Sequence, residues 1–231
     1  MCHSIIHPAV VRLGHDASGT LCAAGSVGLV TSSFWDERFG VEEFVYGVEP
    51  NDFLRAEAHR IPEGRVLCVA EGEGRNATFL AGLGYRVTAV DFSVEGLRKT
   101  ERLASARGVS VELVQADLAS YVPEADAFSG VVSIFAHTPA EARRHLHALV
   151  PTILQAGGCF LLEAYRQEQL AFGTGGPRDP DMLMSLVALR EELRGLEIVE
   201  TLEVERDIHE GAAHSGRSAT VQLIGRQKPK Q

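Results

Sequence analysis

The chain has 231 residues, 45% of them hydrophobic and 23% charged, which is ordinary for a globular protein with one sizeable core. Its 31 acidic against 22 basic residues leave a net charge of −9, which repels a phosphate backbone and argues against a nucleic-acid partner. No apolar run approaches the roughly 18 residues of a membrane helix, and four scattered cysteines with no CxxC pair exclude a disulfide scaffold and point to a reducing, cytoplasmic setting.

Residues 1–33 are rich in Gly, Ala, Ser and Val with no sustained period, and read as a flexible N-terminal extension preceding a single domain over 34–231. His3, His7 and His15 lie there beside Cys2 and Cys22, but their spacing fits no zinc pattern, so no metal site is expected. The stretch also lacks the basic start and unbroken apolar run of a secretory signal and the arginines of a transit peptide.

From residue 61 two kinds of segment alternate. Ile61-Pro62-Glu63-Gly64 is a turn signal, and Arg65–Ala70 is an apolar run of strand length. Asn76–Leu83 carries helix formers and ends at Gly84; Tyr85–Val90 is a second strand. Ser93 is placed to cap a helix over Val94–Arg107 that Gly108 closes. Val109–Gln115 and Gly130–Phe135 are the third and fourth strands, Pro139–Leu154 is a helix ending at Gly157-Gly158, and Cys159–Glu163 is the fifth strand. Strands apolar throughout and separated by helices predict parallel βαβ units buried on both faces. The tail differs: Glu197–Asp207 and Ser218–Arg226 alternate, and the polar stretch His209–Gly216 between them predicts an antiparallel hairpin added to that sheet.

In open α/β sheets ligands sit beyond the carboxyl ends of the strands. The first strand runs into Glu71-Gly72-Glu73-Gly74-Arg75-Asn76, where two glycines let the backbone turn sharply against a ligand. Asp91 closes the second strand, where a carboxylate can accept from both ribose hydroxyls, and Phe92 beside it can lie on an adenine face. Ala116-Asp117-Leu118 follows the third, where Asp117 can accept from an adenine amino group. Each has a plainer use in a turn or cap, but three successive strand ends together point to a nucleoside-bearing cofactor. Gly72, Gly74 and Ala77 loosely satisfy the dinucleotide pattern. However, a loop carrying Glu71 and Glu73 suits a cation better than a diphosphate, which favours S-adenosylmethionine (SAM).

At these residues the chain resembles the class I SAM-dependent methyltransferases, and within them the tellurite-resistance TehB and thiopurine methyltransferase group. The resemblance runs from Phe34 to Arg226 and is carried by Glu71–Asn76 and Trp35-Asp36-Glu37-Arg38-Phe39. It implies a single-domain Rossmann-like fold with a mostly parallel seven-stranded sheet, a C-terminal antiparallel hairpin and helices on both faces. It further implies a lid of Trp35, Phe39, Tyr46, Gly47, Pro50 and Asn51 over the cofactor, Glu71 and Gly72 beside the methionine part, Asp91 on the ribose and Asp117-Leu118 at the adenine. Gly74, Arg75, Asn76, Ser93 and Phe135 complete the cofactor set. Glu73 departs from the neutral residue of many relatives.

Methyl transfer needs alignment and exclusion of water more than proton chemistry, unless the acceptor is a hydroxyl or protonated amine. The acceptor expected is a small molecule with a soft or anionic nucleophile, such as a thiol or a selenium or tellurium oxyanion. On its side, His137 follows the fourth strand and suits a base or a contact to the reacting atom; Tyr165 and Arg166 follow the fifth. The resemblance suggests His214 and Arg217 near an oxyanion. The segment Phe172–Pro177 reads as a loop able to close over the pocket. An NAD(P)-dependent oxidoreductase and a non-catalytic SAM-binding regulator are the rival readings, and a monomer or homodimer is expected, with neither nucleic acid nor membrane as partner.

Overall fold

The computed structural model describes residues 32–229. The expected extension therefore lies outside the described residues, apart from Ser32 and Ser33, which open α1 (Ser32–Phe39). A short helix α2 (Asp52–Glu57) follows, and then the alternation begins: β1 (Arg65–Val69), α3 (Arg75–Gly82), β2 (Arg86–Asp91), α4 (Val94–Arg107), β3 (Val111–Gln115), β4 (Phe128–Ile134), α5 (Ala140–Ile153) and β5 (Leu154–Tyr165). After α6 (Leu186–Glu192) the chain closes with β6 (Glu197–Glu210) and β7 (His214–Arg226).

The seven strands form one sheet in the order β3-β2-β1-β4-β5-β7-β6, with β1 to β5 parallel and β7 antiparallel to both neighbours. Alternation along each central strand feeds two cores. Val66, Cys68, Val132 and Leu161 pack with residues of α2, α3 and α4 on one face. Leu67, Val69, Val131, Phe160 and Leu162 pack with α5 and α6 on the other. This is the Rossmann-like sheet with helices on both faces that the apolar strands predict.

Local signals explain the element ends. Ser93 accepts from the Gly96 amide at 3.1 Å and caps α4, and Gly108 ends that helix in the left-handed region at φ 66°. The hairpin differs from the sequence expectation. Its strands run through the polar stretch, and only Gly211, Ala212 and Ala213 form the turn. Ile208, Glu210, His214 and Ser218 are buried, so alternation continues but with polar side chains in the interior.

Candidate active site

Strand order reverses between β1 and β4, and such a switch point opens a crevice beyond the strands' carboxyl ends. A cavity of about 660 Å³ lies there. Both strands leave the sheet through a side chain held in the left-handed region, Ala70 at φ 48° and Phe135 at φ 51°, and both residues line the cavity.

Its first half is built by the ends of β1 to β3. Gly72 turns at φ 63° and donates its amide to Asp91 Oδ2 at 2.7 Å, while Asp91 Oδ1 accepts from the Ser93 amide at 2.8 Å. Glu71 Oε1 accepts from the amides of Asn76 and Ala77 at 3.0 and 2.8 Å, across the first turn of α3. Burial pushes the Glu71 carboxyl up to about 7 and that of Asp91 up to about 6, against these hydrogen bonds. Among the described residues no side-chain cation lies within ion-pair distance of either group, although the Arg75 charge acts to lower the Glu71 carboxyl. Phe92 and Leu118 complete the wall.

The lid covers this half. Trp35 stacks on Phe39 with ring centroids 5.5 Å apart, and the Phe39 ring sits over Gly72, where a Cβ would approach it to 3.1 Å. Tyr46 packs edge-on to Phe39 at 6.1 Å and to His214 at 4.6 Å. Three latches hold the lid. Asp36 accepts from the Ser93 hydroxyl at 2.6 Å. Glu73 accepts from the Val45 and Tyr46 amides at 3.0 and 2.9 Å while paired with Lys99 at 2.8 Å. Asn51 donates to Glu163 at 2.6 Å and to Glu210 at 2.9 Å.

These latches correct several sequence expectations. The charge of Glu73 is met by Lys99 rather than offered to a ligand, so at the ends of β1 and β2 Glu71 and Asp91 are left facing the cavity. Asn51 is wholly buried behind the cavity wall, its side-chain oxygen capping α2 at the Leu54 amide (2.9 Å). Gly74 does not line the cavity; at φ 87° it starts α3 so close to α4 that a Cβ would meet Thr100 at 2.7 Å. Ser93 serves as helix cap and lid anchor. Ala116 is tied by its amide to the Asp91 carbonyl at 3.0 Å. Asp117 is exposed and accepts from the Ala119 amide at 2.8 Å, a turn role, so Leu118 alone of that trio reaches the cavity.

The second half is formed by the ends of β4 and β5, residues 175–182 and the hairpin turn. His137 lines it, yet its Nδ1 lies 2.9 Å from the Met182 carbonyl and its Nε2 accepts the Tyr165 amide at 3.1 Å. Burial pushes its pKa down to about 4, so the ring is neutral with both nitrogens occupied, and a role as base is unsupported. Tyr165 lies behind the wall, stacked on Phe135 at 4.5 Å, and burial raises its hydroxyl well above the ordinary range. Arg217 points away from the cavity, exposed and paired with Glu205 at 3.1 Å.

His214 does line the cavity, packed against Tyr46, Phe135 and Tyr165, and burial lowers its pKa. Its Nδ1 is buried without a hydrogen-bond partner, 4.0 Å from Glu210 Oε2. Burial works against the Glu210 charge, but His214 and Arg75, the latter at 2.6 Å, hold its carboxyl at about 2. Sequence reasoning missed Phe34, Arg38, Met182 and the 178–179 pair as cavity residues. It did single out the Phe172–Pro177 loop, of which Gly175, Gly176 and Pro177 line the wall.

Residues 66–158 match the profile of a family described as "Methyltransferase domain". This segment, β1 to the middle of β5, is similar to a methyltransferase domain over about two fifths of the chain. A protein-L-isoaspartate O-methyltransferase of Chlorobium phaeobacteroides is 37% identical over 90 residues, 39% of this chain and 41% of that protein, so the match spans well under half of the relative's length. TehB from Haemophilus influenzae superposes with a TM-score of 0.62 at 17% identity, covering 85% of this chain and 67% of TehB. A structure reported for conversion of a disulfide bond into a thioacetal group during echinomycin biosynthesis gives a TM-score of 0.68 at 21% identity, over 85% of this chain and 92% of that one. At such identities the last two likenesses show the fold.

The cofactor of a class I methyltransferase domain is SAM, and the residues present fit it. At the ends of β1 and β2 the half-buried Glu71 and the buried Asp91, with no cation at ion-pair distance among the described residues, face a cavity of suitable volume, which favours a cationic group at that end of the ligand. Trp35, Phe39, Phe92 and Leu118 offer flat or apolar surface for a base.

Proposed function

We propose that this protein is a SAM-dependent methyltransferase acting on a small molecule whose nucleophile is soft or already anionic, such as a thiol or a selenium or tellurium oxyanion. The observation that carries the reading is the meeting, in one covered cavity, of Glu71 and Asp91, acids with backbone partners but no cation at ion-pair distance among the described residues, with an acceptor half whose His137 has both ring nitrogens occupied.

SAM supplies an electrophilic methyl on a sulfonium. Asp91 has lone-pair capacity beyond its backbone bonds to accept from ribose hydroxyls, and Glu71 faces the cationic end of the ligand. Trp35, Phe39 and Tyr46 exclude water, held by Glu73 and Asn51. In the second half His137 is saturated and the Tyr165 hydroxyl is held protonated, so an acceptor that must lose a proton is left with His214, whose pKa burial lowers, and the Asp179 carboxylate at the rim. An acceptor that needs no base fits this surround better.

The test is the melting temperature alone and with saturating SAM, S-adenosylhomocysteine (SAH) or NADH, followed by methyl transfer to thiols, selenite and tellurite. Ligand at 100 times its dissociation constant adds about 2.7 kcal/mol, or roughly 5–11 °C for a domain this size. A rise with SAM and SAH but not NADH supports the reading. A rise with NADH alone overturns it, and binding with no transfer to any acceptor favours a regulator.

A further inference from the structure

Besides Glu71 and Asp91 at the cofactor end, the charged side chains bordering the cavity divide into those already paired or hydrogen-bonded and those that are not. Glu73 is neutralised by Lys99, and Arg75 by Glu210. The Asp179 carboxylate accepts from the Asp181 amide at 3.0 Å, capping its own turn. Arg38 and Arg178 also line the cavity, and among the described residues neither has a carboxylate within ion-pair distance. Both are exposed at the rim, Arg38 on α1 and Arg178 on the segment after β5.

Arg38 is not a loose surface charge. Its guanidinium lies 5.7 Å from the Trp35 ring and 5.5 Å from the Tyr46 ring, which fixes it over the lid aromatics. Its charge is felt on the acceptor side, where it helps to depress the His214 pKa. Arg178 lines the cavity from the segment between Pro177 and Asp179, and the apolar side chains of Phe135 and Met182 line the same cavity. The cavity thus joins an apolar slot to two unneutralised guanidinium forks, whose planar donors match a carboxylate.

We propose that Arg38 and Arg178 form an anion subsite at the mouth of the acceptor half, so that the acceptor is a small, flat, apolar molecule bearing a carboxylate. This rests on the methyltransferase reading and narrows its substrate class: the anionic group anchors the molecule at the rim while its nucleophile reaches inward. The carboxylate of the cofactor's methionine part is the other source of the same chemistry, and the two are separable.

The experiment titrates benzoate and benzamide, probes of nearly equal shape, into the protein with and without SAH, following Trp35 fluorescence or heat. Wild type, Arg38→Gln and Arg178→Gln are compared at low salt, with thermal unfolding to check that these exposed substitutions fold. Benzoate should bind about tenfold more tightly than benzamide, and Arg178→Gln should abolish that preference, with Arg178→Lys intermediate because the charge remains and the fork is lost. Equal binding of the two probes to wild type overturns the proposal, as does a preference unchanged in both glutamine variants. Loss of SAH affinity with 5′-methylthioadenosine affinity intact, and no change for benzoate, assigns the arginines to the cofactor carboxylate instead. Failure of SAH to bind wild type is read separately and strikes the methyltransferase reading, while the titrations without SAH still decide the anion subsite.

Discussion

Lys99→Met tests the lid latch directly. Glu73 is 2% and Lys99 6% exposed, so the substitution leaves a carboxylate buried without its cation. Breaking a buried pair from one side costs about 3–5 kcal/mol. Because the Val45 and Tyr46 amides still donate to Glu73, the lower end applies, about 3 kcal/mol, which lowers the melting temperature by roughly 6–12 °C. Glu73→Gln leaves the buried Lys99 ammonium without its carboxylate, with the Glu43 carbonyl still accepting from it, and one lid amide without its partner, at a cost again of about 3 kcal/mol. Together the two substitutions leave no uncompensated charge. The double variant should therefore lose about 3 kcal/mol less than the two single losses combined. Urea unfolding of all four proteins in a double-mutant cycle measures this coupling. Additivity within about 0.5 kcal/mol would refute the latch and mean that neutral contacts hold the lid.

Three further outcomes are expected. Asp91→Ala should weaken SAH binding about tenfold to a hundredfold, the worth of hydrogen bonds to a charged acceptor, and an unchanged Trp35 fluorescence titration would remove Asp91 from the ribose site. Folding raises the Asp91 and Glu71 pKa values to about 6 and 7, so their contribution to stability is complete below about pH 4 and fades as pH rises to about 7; SAH affinity should move the other way and be about tenfold weaker at pH 5 than at pH 8, which calorimetry at the two pH values checks. His137→Ala should strip partners from the Tyr165 amide and the Met182 carbonyl, lowering stability by about 2 kcal/mol or more in urea unfolding, whereas a turnover loss in a fully stable variant would restore it as a reacting group.

Much of the architecture was legible because it rests on local rules. Apolar strands ending in glycine or acidic residues, the Ser93 cap and the Gly108 stop each act within a few residues. The place of the site followed from strand ends alone. What escaped depended on distant partners. Glu73 looked like ligand-facing charge because Lys99, 26 positions on, could not be paired with it from sequence. Asn51 meets Glu163 and Glu210 across 112 and 159 positions, and a buried Asn of that kind leaves no periodic trace. The hairpin read as two short strands because Glu210 and His214, polar side chains at interior positions, masked the alternation. Arg217 was matched with His214 from the family resemblance, yet three residues along a strand it points to the opposite face, toward Glu205.

The roof and floor of the cavity come from opposite ends of the chain. The Ala212 amide donates to the Val45 carbonyl at 3.0 Å, and the Arg75–Glu210 pair joins the cofactor loop to the last hairpin across 135 positions. During synthesis, β1 to β3 can form before the hairpin leaves the ribosome, but the lid then lacks half of its anchors. A nascent chain or a product truncated before residue 210 therefore carries the cofactor-facing strand ends without a shelter over them. Competence arrives late and in one step, when the final strands close the sheet and seat the lid.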